Sequence, residues 1–204
     1  MKKIFAAIFS ACILVSGFLT GPAYAQESEP LDQASKEALY EAYQTIAEQV
    51  ADETGRDISL LPMEKFTLED WRTPEDFRAL LTEIADWELT GSFRAPDQPR
   101  STTAERTATF EADGQECKLT ITGSFETTYN EASRRQHFSG FTSIESELSG
   151  SSAVWTQTDC EVYSLDGNRT YAVTVWGELT ISGAVFANQP AHAEFHCTAN
   201  GAVY

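Results

Sequence analysis

The spacing of apolar residues changes once along this chain, near Trp87, and that change predicts the architecture. Before Trp87, apolar side chains recur at intervals of three and four residues over 31–54 and again over 74–86, which is typical of amphipathic helices. Gly55 is suited to end the first helix, and Thr73 is suited to cap the start of the second. From Trp87 onward the period is two, which indicates strands.

Seven candidate strands follow, most of them separated by turn signals such as Asp113-Gly114 and Ser182-Gly183. They span 87–94, 106–112, 116–126, 136–148, 152–164, 170–182 and 191–198. A meander of this width has an apolar face that must be covered, and the two helices are the available cover. The sequence therefore predicts an α+β fold, with N-terminal helices packed on a curved antiparallel β-meander of about six to seven strands. We expect one domain over 26–204, helical over 26–86 and sheet over 87–204.

Alternation also predicts which side chains turn away from the helices. A four-residue loop at 165–168 places Cys160 opposite Val173. The same register places Val154 opposite Leu179, with all four of these side chains on the covered face. The outward face of the two strands then carries Trp155, Gln157, Asp159, Glu161, Thr174, Trp176 and Glu178.

The first 25 residues have the three-part layout of a secretory signal peptide. Lys2 and Lys3 are basic, 4–19 is mainly apolar, and Ala23-Tyr24-Ala25 is a small-x-small cleavage site. We expect cleavage before Gln26 and a periplasmic or secreted protein. No later stretch approaches the ~20 apolar residues of a membrane helix, so no integral span is expected after cleavage.

Charge and missing motifs exclude several kinds of function. The chain has 14 Lys+Arg against 31 Asp+Glu, a net charge of -17, which disfavours binding to nucleic acid. Neither G-x-S-x-G, S-x-x-K, H-E-x-x-H, a phosphate loop nor a dinucleotide fingerprint occurs. We therefore expect no cofactor, and a catalytic role is less favoured than a binding role.

The paired tryptophans are one candidate site. In the predicted register Trp155 and Trp176 lie on neighbouring strands and point away from the covered face, with Gln157 and Glu178 beside them. Exposed tryptophans among polar side chains suit a sugar, peptide or protein partner. Alternatively, this face is partly covered, or the two rings pack on each other across the strands.

A second candidate site lies on the last predicted strand. His192, Glu194 and His196 share one face, and a His-x-Glu pair can bind a divalent metal such as zinc. The two histidines are about 13 Å apart along an ideal strand, so a third ligand is needed from Asp159 or Glu161. The alternative is a solvated polar face.

Three cysteines remain after signal cleavage, and Cys160 with Cys197 is the most favoured pair for a disulfide in an oxidising compartment. The predicted register argues against this pair, because it places them two strands apart, about 9–10 Å. A disulfide needs Cα atoms within roughly 7 Å. The alternative is three buried free thiols.

These observations favour an exported, non-catalytic binding or interaction module whose partner is a protein, a glycan or a small apolar ligand. One alternative is a carrier that holds a small apolar ligand between the helices and the sheet, which requires a hollow interface. The other alternative is a metal-dependent hydrolase centred on His192 and His196.

Overall fold

The computed structural model describes residues 31–87, 89–90, 102–112, 115–150 and 152–204. The predicted signal peptide lies outside these residues, as do the turn at 113–114 and part of the predicted strand 87–94. Residues Asp32–Tyr204 form one compact unit. Within the described ranges, no helix has the length and apolar character needed to cross a membrane.

Both predicted helices form, with the predicted ends. Helix α1 spans Gln33–Thr54, starts after an Asp32 cap and ends at Gly55 in the left-handed conformation. Helix α2 spans Pro74–Ala85, and the Thr73 hydroxyl accepts a hydrogen bond from the backbone of its first turn. Capping side chains and apolar spacing therefore determine both helices locally.

Eight strands are present among the described residues. In chain order they are Asp57–Leu60 (β1), Leu89–Thr90 (β2), Thr103–Ala112 (β3), Gln115–Asn130 (β4), Arg135–Ser149 (β5), Val154–Leu165 (β6), Thr170–Ile181 (β7) and Ala184–His196 (β8). Sheet A has the order β1-β8-β7-β6, and β2 also pairs with β8. Sheet B has the order β3-β4-β5. Every pairing is antiparallel except that of the short β2 with β8, so the predicted α+β fold with a meander-like sheet is confirmed.

Two strands, β1 and β8, differ most from the prediction. The segment after α1, for which the apolar spacing predicted no strand, contributes β1 to the edge of β8. Strand β8 begins at Ala184 and not at 191, because Ser182 and Gly183 form the whole β7–β8 turn. Both turn residues have positive φ, 46° and 76°, as a two-residue hairpin turn requires.

Sheet A bends where two bulges flank the middle of β7. The inward side chains of β7 alternate without interruption from Tyr171 to Ile181. On one side β6 has an extra residue, Thr158, and on the other side β8 has an irregularity opposite Glu178, next to Asn188 with φ 54°. A bulge turns the following side chains to the opposite face and bends its strand, so the two halves of sheet A face different neighbours.

Each half of sheet A is covered by a different layer. At one end, Leu179 and Phe186 pack against α1 and α2. At the other end, Val173 and Phe195 pack against apolar side chains of sheet B such as Phe125. The predicted helical cover is therefore correct for one end, and sheet B covers the other.

The interface between the helices and sheet A is filled by side chains. Tyr43, Phe77 and Phe186 are fully buried there, and the rings of Tyr43 and Phe77 stack with centroids 4.0 Å apart. Close packing of this kind is typical of a core filled by side chains around these three rings. The carrier interpretation therefore gains no support from the structure.

Candidate binding site

The tryptophan pair is not assembled, because Trp155 and Trp176 lie on opposite faces of sheet A. The bulge at Thr158 shifts the face of the preceding residues, so Trp155 lies opposite Leu179 and Val154 lies opposite Thr180. Val154 is 58% exposed, although the sequence pattern predicted it inside. The predicted pairing of Cys160 with Val173 is also wrong, since Cys160 pairs with Val175.

Trp155 and Gln157 connect the two sheets inside the protein. Trp155 Nε1 donates a hydrogen bond to Ser146 Oγ at 2.8 Å, and Ser146 Oγ donates to Gln157 Oε1 at 2.6 Å. Gln157 Nε2 donates to the Ile144 carbonyl at 3.1 Å. These bonds join β6 to β5, which have no backbone ladder between them. Both side chains therefore have a structural role and are not available to a ligand on the outer face.

Trp176 and Glu178 stay on the outer face, as predicted. Trp176 is half-buried between Asp159 on β6 and Pro190 on β8, and Glu178 is exposed. Without Trp155 and Gln157, this pair no longer forms the four-residue surface that the alternation predicted.

The histidines of β8 have the predicted facing, and each of them pairs with a threonine of β7. Nδ1 of His192 lies 2.9 Å from Thr174 Oγ1, and Nδ1 of His196 lies 3.0 Å from Thr170 Oγ1. Glu194 approaches His196 Nε2 at 3.8 Å. No group of three His, Cys, Asp or Glu side chains is placed to hold a metal ion anywhere in the described part of the chain. Pairing with threonine across the strands explains the two histidines without a metal.

Cys160 and Cys197 do not form the predicted disulfide, and both are free thiols, as is Cys117. Cys160 lies level with Val175 on β7 and Ala191 on β8, whereas Cys197 lies six residues after Ala191, just past the end of β8. Two strand spacings and this offset exceed the reach of a disulfide. Burial raises the pKa of both thiols, with the nearby Asp159 carboxylate adding to the effect at Cys160. Both therefore stay protonated near neutral pH and are poor nucleophiles.

A cleft that the sequence pattern did not predict lies beside the β7–β8 turn. It has a volume of about 430 Å³. One wall is the connection 61–72 between β1 and α2, and the other wall is formed by the start of β6 and the end of β7. We call it the hairpin cleft; its lining is Leu61, Lys65, Thr67, Glu69, Asp70, Arg72, Gln115, Ser152, Val154, Thr180, Ile181, Ser182 and Gly183.

Tyrosine hydroxyls on α1 hold the 61–72 wall in place. Tyr40 donates to the Leu61 carbonyl at 2.9 Å, near the start of the connection. At its end, Tyr43 donates to the Arg72 carbonyl at 2.7 Å and accepts from the Arg72 amide at 2.5 Å. Burial raises the pKa of Tyr43, so its hydroxyl stays protonated. The connection contains two short 3₁₀ helices, Met63–Lys65 and Leu68–Asp70, and the tyrosine bonds fix it as one wall of the cleft.

The two walls are also bonded to each other across the turn. The Leu61 amide donates to the Gly183 carbonyl at 2.8 Å, and Arg72 Nη2 donates to Ser182 Oγ at 3.0 Å. The Phe66 ring lies directly on Gly183, where a Cβ would come within 2.3 Å of the ring. These contacts give the cleft a defined width and hold the Arg72 guanidinium at its edge.

The lining combines both signs of charge with apolar surface. Lys65 and Arg72 supply two cations, and Glu69 and Asp70 supply two carboxylates. Val154, exposed because of the β6 bulge, contributes apolar surface. Ligand sites typically combine apolar walls with a few convergent polar groups in a volume of about 300–1,000 Å³, and the hairpin cleft fits that description.

A second depression, the sheet B groove, lacks this combination. It lies on the outer face of sheet B with a volume of about 550 Å³. Its lining is Glu105, Thr120, Thr122, Glu145, Ser146, Glu147 and Ser149. Carboxylates and hydroxyls without apolar or basic neighbours are what a solvated strand face normally presents. The hairpin cleft is therefore the better candidate binding site.

Sequence reasoning missed the cleft because its walls are far apart along the chain. One local signal was present: Lys65 and Arg72 lie in one connection of a chain with only 14 basic residues. Phe66 and Trp71 in the same connection pack against the aromatic rings of α1. A short connection that contains two aromatic residues packed on α1 and two of the 14 basic residues of the chain indicates an ordered surface.

Comparison with known proteins gives no match: no protein-family profile, no curated protein and no solved structure is significantly similar to this chain.

Proposed function

We propose that this protein is an exported, non-catalytic binding module and that its ligand site is the hairpin cleft. The observation that carries the proposal is the lining of the cleft, in which cations, carboxylates and apolar side chains converge between two walls bonded to each other. Such a site recognises a small ligand by charge and shape.

The chemistry of the cleft favours binding over catalysis. Its lining residues include no histidine and no cysteine. The hydroxyl of Thr67 donates to the Asp70 carboxylate at 2.8 Å as part of a capping box, so this pair serves the backbone. An activated nucleophile needs a base that is free to take its proton, whereas the Asp70 carboxylate oxygen that faces Thr67 already accepts the Thr67 amide.

Export rests on the basic, apolar and small-x-small segments of residues 1–25. To test it, the full 204-residue chain is expressed in a bacterial host, and the mass of the periplasmic product is measured. We expect the mass of a chain that begins at Gln26. An uncleaved product retained in the cytoplasm would contradict export.

The binding site is tested by mapping small probes onto the same purified protein. A set of neutral, anionic, cationic and zwitterionic fragments is added, and amide chemical shifts are followed by NMR. We expect shifts concentrated at the cleft, in residues 65–72, 152–154 and 180–183. Shifts confined to the outer face around Trp176 and His192, or no shifts at millimolar concentrations, would contradict the proposed site.

A further inference from the structure

We infer that the ligand of the hairpin cleft is a short peptide, or a molecule of similar chemistry, that carries both a free ammonium and a free carboxylate. This inference depends on the proposed function and adds the class of ligand. Three features of the cleft support it: the placement of its cations, the availability of one carboxylate, and its apolar surface.

The cations define a position for a carboxylate. Arg72 lines the cleft and donates from Nη2 to Ser182 Oγ, so it contributes a fixed positive charge near the 61–72 wall. The exposed Lys65 makes no side-chain hydrogen bond or ion pair with any residue that the structure describes, so its ammonium is available on the same wall.

Of the two carboxylates in the lining, Glu69 is available to bind an ammonium. Asp70 Oδ2 already accepts hydrogen bonds from the Thr67 amide at 2.6 Å and from the Thr67 hydroxyl at 2.8 Å. Glu69 is exposed and makes no side-chain hydrogen bond or ion pair among the described residues. The 61–72 wall of the cleft thus presents one available acceptor for an ammonium, Glu69, and one available donor for a carboxylate, Lys65.

The net charge of the chain argues for a ligand with both charges. At -17, the protein repels an anion from a distance, which lowers the rate at which an anionic ligand arrives. A purely cationic ligand has a better site in the sheet B groove, whose lining contains carboxylates and no cation. A zwitterion avoids the long-range repulsion and meets both charges in the cleft.

The remaining surface suits an apolar side chain of the ligand. Val154 supplies apolar surface on the sheet wall, and Leu61 supplies it on the other wall. A dipeptide with one apolar side chain carries an ammonium, a carboxylate and a hydrocarbon surface, the three kinds of group that this lining can contact.

The test uses alanyl-leucine and its blocked forms as probes in calorimetric titrations of the purified protein. The four probes are the free dipeptide, its N-acetyl form, its C-terminal amide and the form blocked at both ends. Each exposed charge pair is expected to change affinity by up to about fivefold. We therefore expect each single block to weaken binding about fivefold and the double block to weaken it about 25-fold.

Two variants assign each end of the probe to its partner. In Lys65→Ala, the C-terminal amide should bind more nearly as well as the free dipeptide than it does in the wild type. In Glu69→Ala, the N-acetyl form should bind more nearly as well as the free dipeptide than it does in the wild type. Lys65 and Glu69 are both exposed, so the fold is retained. The matched controls are Lys118→Ala and Glu64→Ala, which remove exposed charges outside the cleft and should leave all four affinities unchanged.

The outcomes separate this inference from the proposed function. If the doubly blocked probe binds as well as the free dipeptide, or if neither variant changes the effect of blocking, the zwitterion inference is wrong. If fragments shift the cleft amides while no form of the dipeptide binds, the ligand class is wrong and the binding site stands. If neither fragments nor dipeptides affect the cleft, both proposals are wrong.

Discussion

Substituting Gly177 by alanine should destabilise the protein by about 2–4 kcal/mol. A Cβ at this position would lie 2.3 Å from Cζ2 of Trp155 and 2.6 Å from two further ring atoms. Carbon atoms pack at about 3.5–4.0 Å, so the ring would have to move by more than about 1 Å. Overpacking costs typically about 1–3 kcal/mol. The displaced ring also weakens the 2.8 Å hydrogen bond from Trp155 Nε1 to Ser146, which is worth about 0.5–1.5 kcal/mol.

The free energy of unfolding is measured by urea denaturation of the wild type and of two alanine variants. The matched control is Gly140→Ala in β5, where a Cβ would meet only the flexible carboxylate end of Glu126 at 3.1 Å. We expect this control to unfold within about 0.5 kcal/mol of the wild type.

A double-mutant cycle then assigns the cost to the ring. In a Trp155→Leu background the ring atoms near Gly177 are absent, so Gly177→Ala should cost clearly less than in the wild type. The reasoning is refuted if Gly177→Ala is as stable as the wild type, or if its cost is the same in both backgrounds.

Four further predictions follow from buried groups. Tyr43→Phe should lower the free energy of unfolding by about 1–3 kcal/mol, because the Arg72 amide and carbonyl lose their partner. A variant with the same free energy of unfolding as the wild type in urea denaturation would contradict this. Burial raises the folded-state pKa of Tyr43 above its ordinary value near 10, so the free energy of unfolding of the wild type should fall as pH rises above about 10. Tyr43→Phe should make this fall with pH less steep. An equally steep fall in the variant would show that Tyr43 does not contribute to it. Ser146→Ala should cost about 1–3 kcal/mol, because Trp155 Nε1 and Gln157 Oε1 both lose their hydrogen bond; a neutral result would place these side chains in water. Thiol labelling of a folded chain that spans residues 26–204 should be fastest at the half-buried Cys160 and slow at the buried Cys117 and Cys197. In denaturant without a reductant all three thiols should be labelled; a disulfide would leave only one.

Local signals in the sequence were sufficient to predict both helices. Their ends are determined by residues within one turn, such as Thr73 and Gly55, and their buried faces follow from spacing alone. Strand β7 was also predicted with the correct face, because Val173 and Leu179 belong to an uninterrupted alternation. These elements require no knowledge of the rest of the fold.

Strand β6 was predicted with one half on the wrong face, and the reason is the bulge at Thr158. Alternation assigns one face to a whole strand, so Val154 and Cys160 were placed together. The extra residue separates them, and Trp155 turns inward over Gly177. A bulge of this kind is determined by packing between strands, which a single sequence does not display.

The second sheet and the hairpin cleft depend on contacts between distant segments. A period of two shows which side of a strand is apolar, but it does not show whether helices or another sheet cover that side. The cleft brings the connection 61–72 next to residues 152–154 and 180–183. The roles of Lys65, Glu69 and Arg72 depend on contacts between these distant segments, so they can be inferred only when the fold is known.

The hairpin cleft has its apolar wall because Val154 points out of sheet A while Trp155 points in, and NMR can measure this arrangement directly. In a NOESY spectrum of the folded protein, we expect strong contacts between the six-membered ring of Trp155 and the α protons of Gly177, with none between the Val154 methyl groups and Leu179. Contacts between Val154 and Leu179, with the Trp155 ring free of Gly177, would restore the simple alternation of β6. The proposed ligand site would then lose that wall.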